Sequence, residues 1–175
     1  MIFTIIGMAG CGKSCMGRIM SSRLKIKLID SDKLIEKRMG KKLQILIDEL
    51  GVDEFRRIEE EVLLSIVCPL GEHLIVSTGG SAVYATRAMN YLRSQGKVIF
   101  LNCGYETIKR RLGDFSKRGV VLREGQTLLD LYNERQPMYE GYADFTVNCD
   151  GEAYPIYQRV CASAIKRFIR SAEDN

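Results

Sequence analysis

The chain has no tryptophan, one histidine and three prolines among its 175 residues. The lone histidine, His73, and six cysteines without a CxxC spacing argue against a zinc site, whose ligand sets draw on clusters of those two residues. No apolar run is long enough to span a bilayer. The short apolar run at Ile2–Ile6 lacks a basic lead and is expected to be a strand rather than a secretory leader. Without such a leader the cysteines are expected as reduced thiols in a cytoplasmic protein. No internal repeat or low-complexity segment interrupts the chain. The formal charge is only +4, with Lys and Arg interspersed among Asp and Glu. That balance argues against nucleic-acid binding but suits a small anionic substrate. What is present, 46% hydrophobic and 27% charged residues, is ordinary for one globular domain with a substantial core. A single domain over 1–175 is expected, and a monomer.

The most informative stretch is Gly7-Met8-Ala9-Gly10-Cys11-Gly12-Lys13-Ser14, which fits the phosphate-binding pattern G-x-x-x-x-G-K-[ST]. An apolar strand precedes it. Met16, Ile19, Met20 and Leu24 follow at helical spacing. Strand, glycine-rich turn and helix in that order point successive N–H groups and a positive helix end at one place, where an anion is favoured. Lys13 would reach the β- and γ-phosphates of a nucleotide, and the Ser14 hydroxyl would bind Mg²⁺. Cys11 lies where a helix end lowers a thiol pKa, but its size also suits a loop filler.

Along the rest of the chain, apolar segments alternate with helical patterns. Ile26–Ile29 reads as a second strand ending in Asp30-Ser31-Asp32, at the strand end where ligands bind in open α/β sheets. Helices are expected at Leu34–Met39 and Leu43–Leu50, with Gly51 stopping the second. A longer helix from Asp53 to about Val67 should end before Pro69 and Gly71. His73–Ser77 is a third strand leading into Thr78-Gly79-Gly80-Ser81. A helix is expected over Tyr84–Ser94, stopped by Gly96. Further strands are expected at Val98–Leu101 and at Phe145-Thr146-Val147, and further helices at Tyr105–Leu112, Thr127–Met138 and about Ile156–Ile169. The polar, glycine-containing 113–125 segment has no periodicity and is expected as a mobile lid. This alternation predicts an α/β fold with a doubly wound five-stranded parallel sheet.

The P-loop, Asp30-Ser31-Asp32, Phe55-Arg56-Arg57, Thr78-Gly79-Gly80 and Arg135-Gln136-Pro137-Met138-Tyr139 occur in this order over nearly the whole length. In that order and spacing the chain resembles the shikimate kinase family of small P-loop kinases. The resemblance implies ATP-dependent transfer of the γ-phosphate to a hydroxyl of a small carboxylic acid, shikimate first, with Mg²⁺ assisting. It implies that Asp32 accepts a hydrogen bond from the attacking hydroxyl, and that Asp30 holds Mg²⁺ together with Ser14. Arg56 and Arg135 would grip the acceptor's carboxylate, matching the planar guanidinium fork. Gly79 and Gly80 would bring backbone N–H groups to the acceptor. The nucleotide side would comprise Gly10, Cys11, Gly12, Lys13, Ser14 and Cys15. Arg111 would stack on adenine, and Arg118 would close over the phosphates from the lid.

Blander readings stand beside these. Asp32 could cap the following helix, Arg56 could pair with Glu60 one turn on, and Arg135 could pair with Glu134. Gly79-Gly80 could be an ordinary turn, and Met138 and Tyr139 core residues. His73 has no obvious acid or nucleophile partner and is expected to be structural. Three positions depart from the family pattern: Ser81 replaces the third glycine of a run, Gly119 follows Arg118 where proline is usual, and Cys15 stands where threonine is common. A kinase for another hydroxy or sugar acid such as gluconate, and a nucleotide-binding regulatory module without catalysis, are the alternatives.

Overall fold

Five short apolar segments pair side by side in the computed structural model, which describes residues 1–113, 120, 122–123, 125–150 and 154–174. They are β1 (Ile2–Ile6), β2 (Lys27–Asp30), β3 (Leu74–Ser77), β4 (Gly96–Asn102) and β5 (Phe145–Asn148). Every pairing is parallel, and the order is β2-β3-β1-β4-β5. Central β1 is wholly buried because both of its faces are covered by helices, which is why it reads as an unbroken apolar run. The helices are α1 (Lys13–Leu24), α2 (Ser31–Met39), α3 (Leu43–Leu64), α4 (Thr86–Ser94), α5 (Tyr105–Leu112), α6 (Leu128–Tyr142) and α7 (Tyr154–Glu173). The doubly wound sheet expected from the alternation is therefore present. No helix among the described residues is long and apolar enough to cross a membrane.

Several boundaries fall elsewhere than expected, each for a local reason. α2 begins at Ser31, three residues before Leu34, because Asp30 caps it: its carboxylate accepts from the Lys33 N–H at 3.3 Å. The capping role considered for Asp32 thus belongs to Asp30. α3 runs through the expected break, but Gly51 is non-helical (φ 79°, ψ 170°) and kinks it there. Its second half stops at Leu64, before Val67. Tyr84 lies in a 3₁₀ turn, Ala82–Tyr84, before α4 starts at Thr86. Gly96 opens β4 instead of merely ending a helix; a Cβ there would lie 1.9 Å from the Ile2 carbonyl oxygen. α6 continues past Pro137 to Tyr142 and is closed at its start by a reciprocal capping box between Thr127 and Asp130.

Most of the apolar core joins β1, β3 and β4 to α1 and α4. A smaller cluster of Ile35, Leu46, Ile47, Phe55, Ile58 and Val62 ties α2 to α3. This second cluster fixes α3, and with it Arg56 and Glu59, over the carboxyl ends of β2 and β3. The expected lid lies for the most part outside the described residues, as does Arg118.

Candidate active site

The P-loop connects β1 to α1. Gly12 precedes the helix at φ 100°, a left-handed conformation that side-chain-bearing residues avoid, and α1 has no side-chain cap. The N–H groups of its first turn therefore face the cleft without a side-chain acceptor, which makes an anion site. Lys13 folds back over the loop, and its Nζ donates to the carbonyls of Gly7 at 2.8 Å and Met8 at 2.9 Å. Cys11 is buried, and burial pushes its thiol pKa up. The loop-filler reading fits this side chain.

A cleft of about 340 Å³ opens beside the loop. Gly10, Gly12, Lys13, Ser14 and Cys15 form one wall, and Asp32, Gly80, Ser81 and Arg135 form the other. The structure thus brings P-loop and acceptor-side residues into one space. Asp32 is held in the first turn of α2, and burial pushes its carboxyl up to about 6; Lys13 opposes this shift, while Asp30 and Glu36 add to it.

Other expected site residues are placed differently. Asp30 does not line the cleft; it sits in a neighbouring groove with Arg18, Lys33 and Lys37, its carboxylate engaged as the α2 cap. Arg111 lies behind the P-loop, with its guanidinium 3.4 Å from both the Cys11 carbonyl and the Cys103 Sγ. Gly79 donates its N–H to Ser31 Oγ at 3.1 Å, so that N–H is already engaged. Its smallness is required instead: a Cβ would lie 2.5 Å from Glu59 Oε1 and 2.8 Å from Asp32 Oδ1. Gly80 faces the cleft, held by the Tyr139 hydroxyl, which donates to its carbonyl at 2.7 Å. Tyr139 itself is fully buried and stacks on Phe100.

The two arginines meet at a residue that sequence reasoning missed. The Arg56 guanidinium lies 4.0 Å from the centre of the Tyr84 ring, and that of Arg135 lies 5.2 Å from it. The Tyr84 hydroxyl donates to Glu134 at 2.7 Å, which fixes the ring. Neither local pairing considered for the arginines forms. Glu60 accepts instead from the Arg87 N–H, and Glu134 from Tyr84, Gln126 and Arg123. Arg135 is only 3% exposed, yet among the described residues no carboxylate makes an ion pair with it or with Arg56. A buried cation without an ion pair is costly, and an anion bound beside Arg135 would offset that cost.

Glu59 is the second missed residue. It is 1% exposed; Ser81 Oγ donates to its Oε2 at 2.7 Å, while Oε1 has no partner among the described residues. Burial pushes its carboxyl up to about 7. Because the folded form holds its proton more tightly than the unfolded chain, this group's contribution to stability is greatest below about pH 4.5 and is lost as the pH rises through about 7. Glu59→Gln removes that loss. The variant is expected to gain on the order of 2–3 kcal/mol over the native protein at pH 8, and little at pH 4. Thermal unfolding across pH 4–8 checks it. A shallower slope from Asp32, which titrates near 6, should persist in the variant; identical curves for both proteins contradict the assignment.

A family model described as Shikimate kinase matches residues 9–168. The chain belongs to the shikimate kinase family. It is 33% identical over 149 residues to the shikimate kinase of Francisella tularensis subsp. novicida (strain U112), covering 84% of each chain. With that of Sulfurihydrogenibium sp. (strain YO3AOP1) it shares 32% over 146 residues, 83% of this chain and 86% of the other. Among solved structures, the fold superposes on the shikimate kinase from Acinetobacter baumannii in complex with shikimate with a TM-score of 0.82 at 27% identity, covering 98% of this chain and 93% of that one. For the enzyme from Bacteroides thetaiotaomicron the TM-score is 0.76 at 25% identity, with 97% and 98% covered. Shikimate kinases are ATP-dependent phosphotransferases with an alcohol acceptor, and an uncapped P-loop helix facing a carboxylate across one cleft is the arrangement such a reaction needs.

Proposed function

We propose that this protein transfers the γ-phosphate of ATP to a hydroxyl of shikimate, giving shikimate 3-phosphate. The observation that carries the choice of acceptor is the buried Arg135 on the cleft side opposite the P-loop, with Arg56 beside it at the Tyr84 ring and no ion-paired carboxylate on either among the described residues. A carboxylate bound there places the acceptor's ring between the arginines and the phosphate site.

In this reading the first-turn N–H groups of α1 and the Lys13 ammonium bind the β- and γ-phosphates, Lys13 exchanging loop carbonyls for phosphate oxygens. Asp32, in the same cleft, orients the attacking hydroxyl and accepts its hydrogen bond. Mg²⁺ prefers hard oxygen donors: the Ser14 hydroxyl in the cleft would hold it, and Asp30, which the resemblance adds, would reach it only after leaving its α2 cap. When bound it would offset charge on the phosphates. Arg111 supports the adenine end through its place behind Cys11. The resemblance adds Arg118 as the arginine over the transferring phosphate and the 113–125 segment as a lid. The rest of the work is alignment, with two substrates held in line and water kept out. Measuring ADP release with a panel of acceptors tests the proposal.

A further inference from the structure

Two guanidinium groups from different helices converge on one ring. Arg56 comes from α3 and lies 4.0 Å from the centre of Tyr84, and Arg135 comes from α6 and lies 5.2 Å from it. Like charges gathered at one place repel, and Arg56 is only half-buried. The negative face of an aromatic ring offsets such charge without accepting an N–H bond from each cation. A carboxylate is bound differently, by the edge of the guanidinium through parallel N–H bonds. Among the described residues no hydrogen bond uses a guanidinium N–H of Arg56. The one that Arg135 gives comes from Nε, to the Tyr84 hydroxyl at 3.4 Å. The Nη edges of both arginines are thus left for another acceptor.

The ring is itself fixed. Its hydroxyl donates to Glu134 Oε1 at 2.7 Å, and that carboxylate also accepts from Gln126 Nε2 at 2.8 Å and Arg123 Nη2 at 3.3 Å. The Tyr84 hydrogen bond is the first cause holding the Glu134 carboxyl below the usual carboxylate range, so Glu134 stays ionised at neutral pH. Glu134 precedes Arg135 on α6, so its carboxylate ties the ring to the helix that supplies the second arginine. We propose that Tyr84 is a positioning residue: its ring holds the Arg56 and Arg135 guanidiniums in place and leaves their N–H edges for the acceptor's carboxylate. Neither Tyr84 nor Glu134 lines the cleft, so both act through the arginines. The inference rests on reading these arginines as the acceptor's grip, so one arm of its test needs no ligand.

That arm is a crystal structure of ligand-free Tyr84→Leu, which fills much of the space without an aromatic face. The Arg56 guanidinium is expected to leave its place or to spread over several rotamers; an Arg56 that stays put overturns the proposal. In turnover, Tyr84→Leu should raise the KM for shikimate about 5- to 30-fold, with kcat and the KM for ATP little changed. Tyr84→Phe keeps the ring and should recover most of that loss. Pentafluorophenylalanine at position 84 keeps the ring's shape but reverses its charge distribution, and should bind shikimate about as weakly as Tyr84→Leu. This arm decides the matter even where the leucine variant fails to fold. Equal KM values for the phenylalanine and pentafluorophenylalanine proteins, or equal losses for shikimate and ATP, mark Tyr84 as a packing residue and overturn the proposal. A displaced Arg56 in the crystal with an unchanged KM for shikimate supports the positioning role and places the failure in the reading of the arginines as a grip.

Discussion

Lys13→Met is expected to lower turnover by about 100- to 1,000-fold while the protein stays folded. The substitution keeps the apolar stem of a nearly buried side chain and removes only the ammonium. In the resting protein that ammonium satisfies the carbonyls of Gly7 and Met8. Losing these bonds should cost about 1–3 kcal/mol of stability. In the reaction it faces negative charge spreading over the transferring phosphate, where loss of one preorganised donor typically costs two to three orders of magnitude in rate. Circular dichroism and thermal unfolding check that the variant is folded, and ADP release measures kcat. An undiminished rate in a folded variant removes the phosphate-binding assignment of the loop.

Arg135→Ala is expected to weaken shikimate binding by about 10- to 150-fold, the range for loss of a charged hydrogen-bonding partner, and to leave affinity for an ATP analogue little changed. The methyl ester of shikimate separates charge recognition from packing. The native protein should bind the ester far more weakly than the acid, and Arg135→Ala should bind both about equally. Arg135→Lys, which keeps the charge but loses the planar fork, should fall between. Calorimetric titration reads all of these. Equal losses for shikimate and the ATP analogue would place Arg135 in the scaffold rather than at the acceptor.

Sequence pattern and structure agree where the signal is local. The P-loop is a contiguous backbone device, so its glycines, Lys13 and Ser14 can be read in order and are found at a helix start that faces a cleft. The sheet was legible because buried parallel strands are short apolar runs between helical patterns. Boundaries shifted where one side chain decides them, as when Asp30 extends α2 back to Ser31. Gly96 shows a different limit, since its reason is contact with Ile2, 94 residues away in sequence, and no local rule reports that.

Residues missed in the site share one property. Tyr84 matters because arginines from α3 and α6 converge on its ring, and Glu59 because Ser81 and Gly79 close over it from another element. In sequence Tyr84 looks like the start of a helix, and Glu59 like one of three consecutive glutamates on a solvated face. Only the packing of the Phe55-Ile58-Val62 cluster turns Glu59 inward while Glu60 and Glu61 remain outside. The departure at Ser81 was visible, but not that its hydroxyl donates to Glu59.

The most direct test of the account is a coupled ADP-release assay of the purified protein with Mg²⁺ and ATP, run in parallel on shikimate, gluconate and nucleoside monophosphates. Rapid, saturable ADP release with shikimate, and release near background with the others, is the predicted result. Turnover of gluconate or a nucleoside monophosphate in preference to shikimate, or no acceptor-dependent release at all, would contradict it.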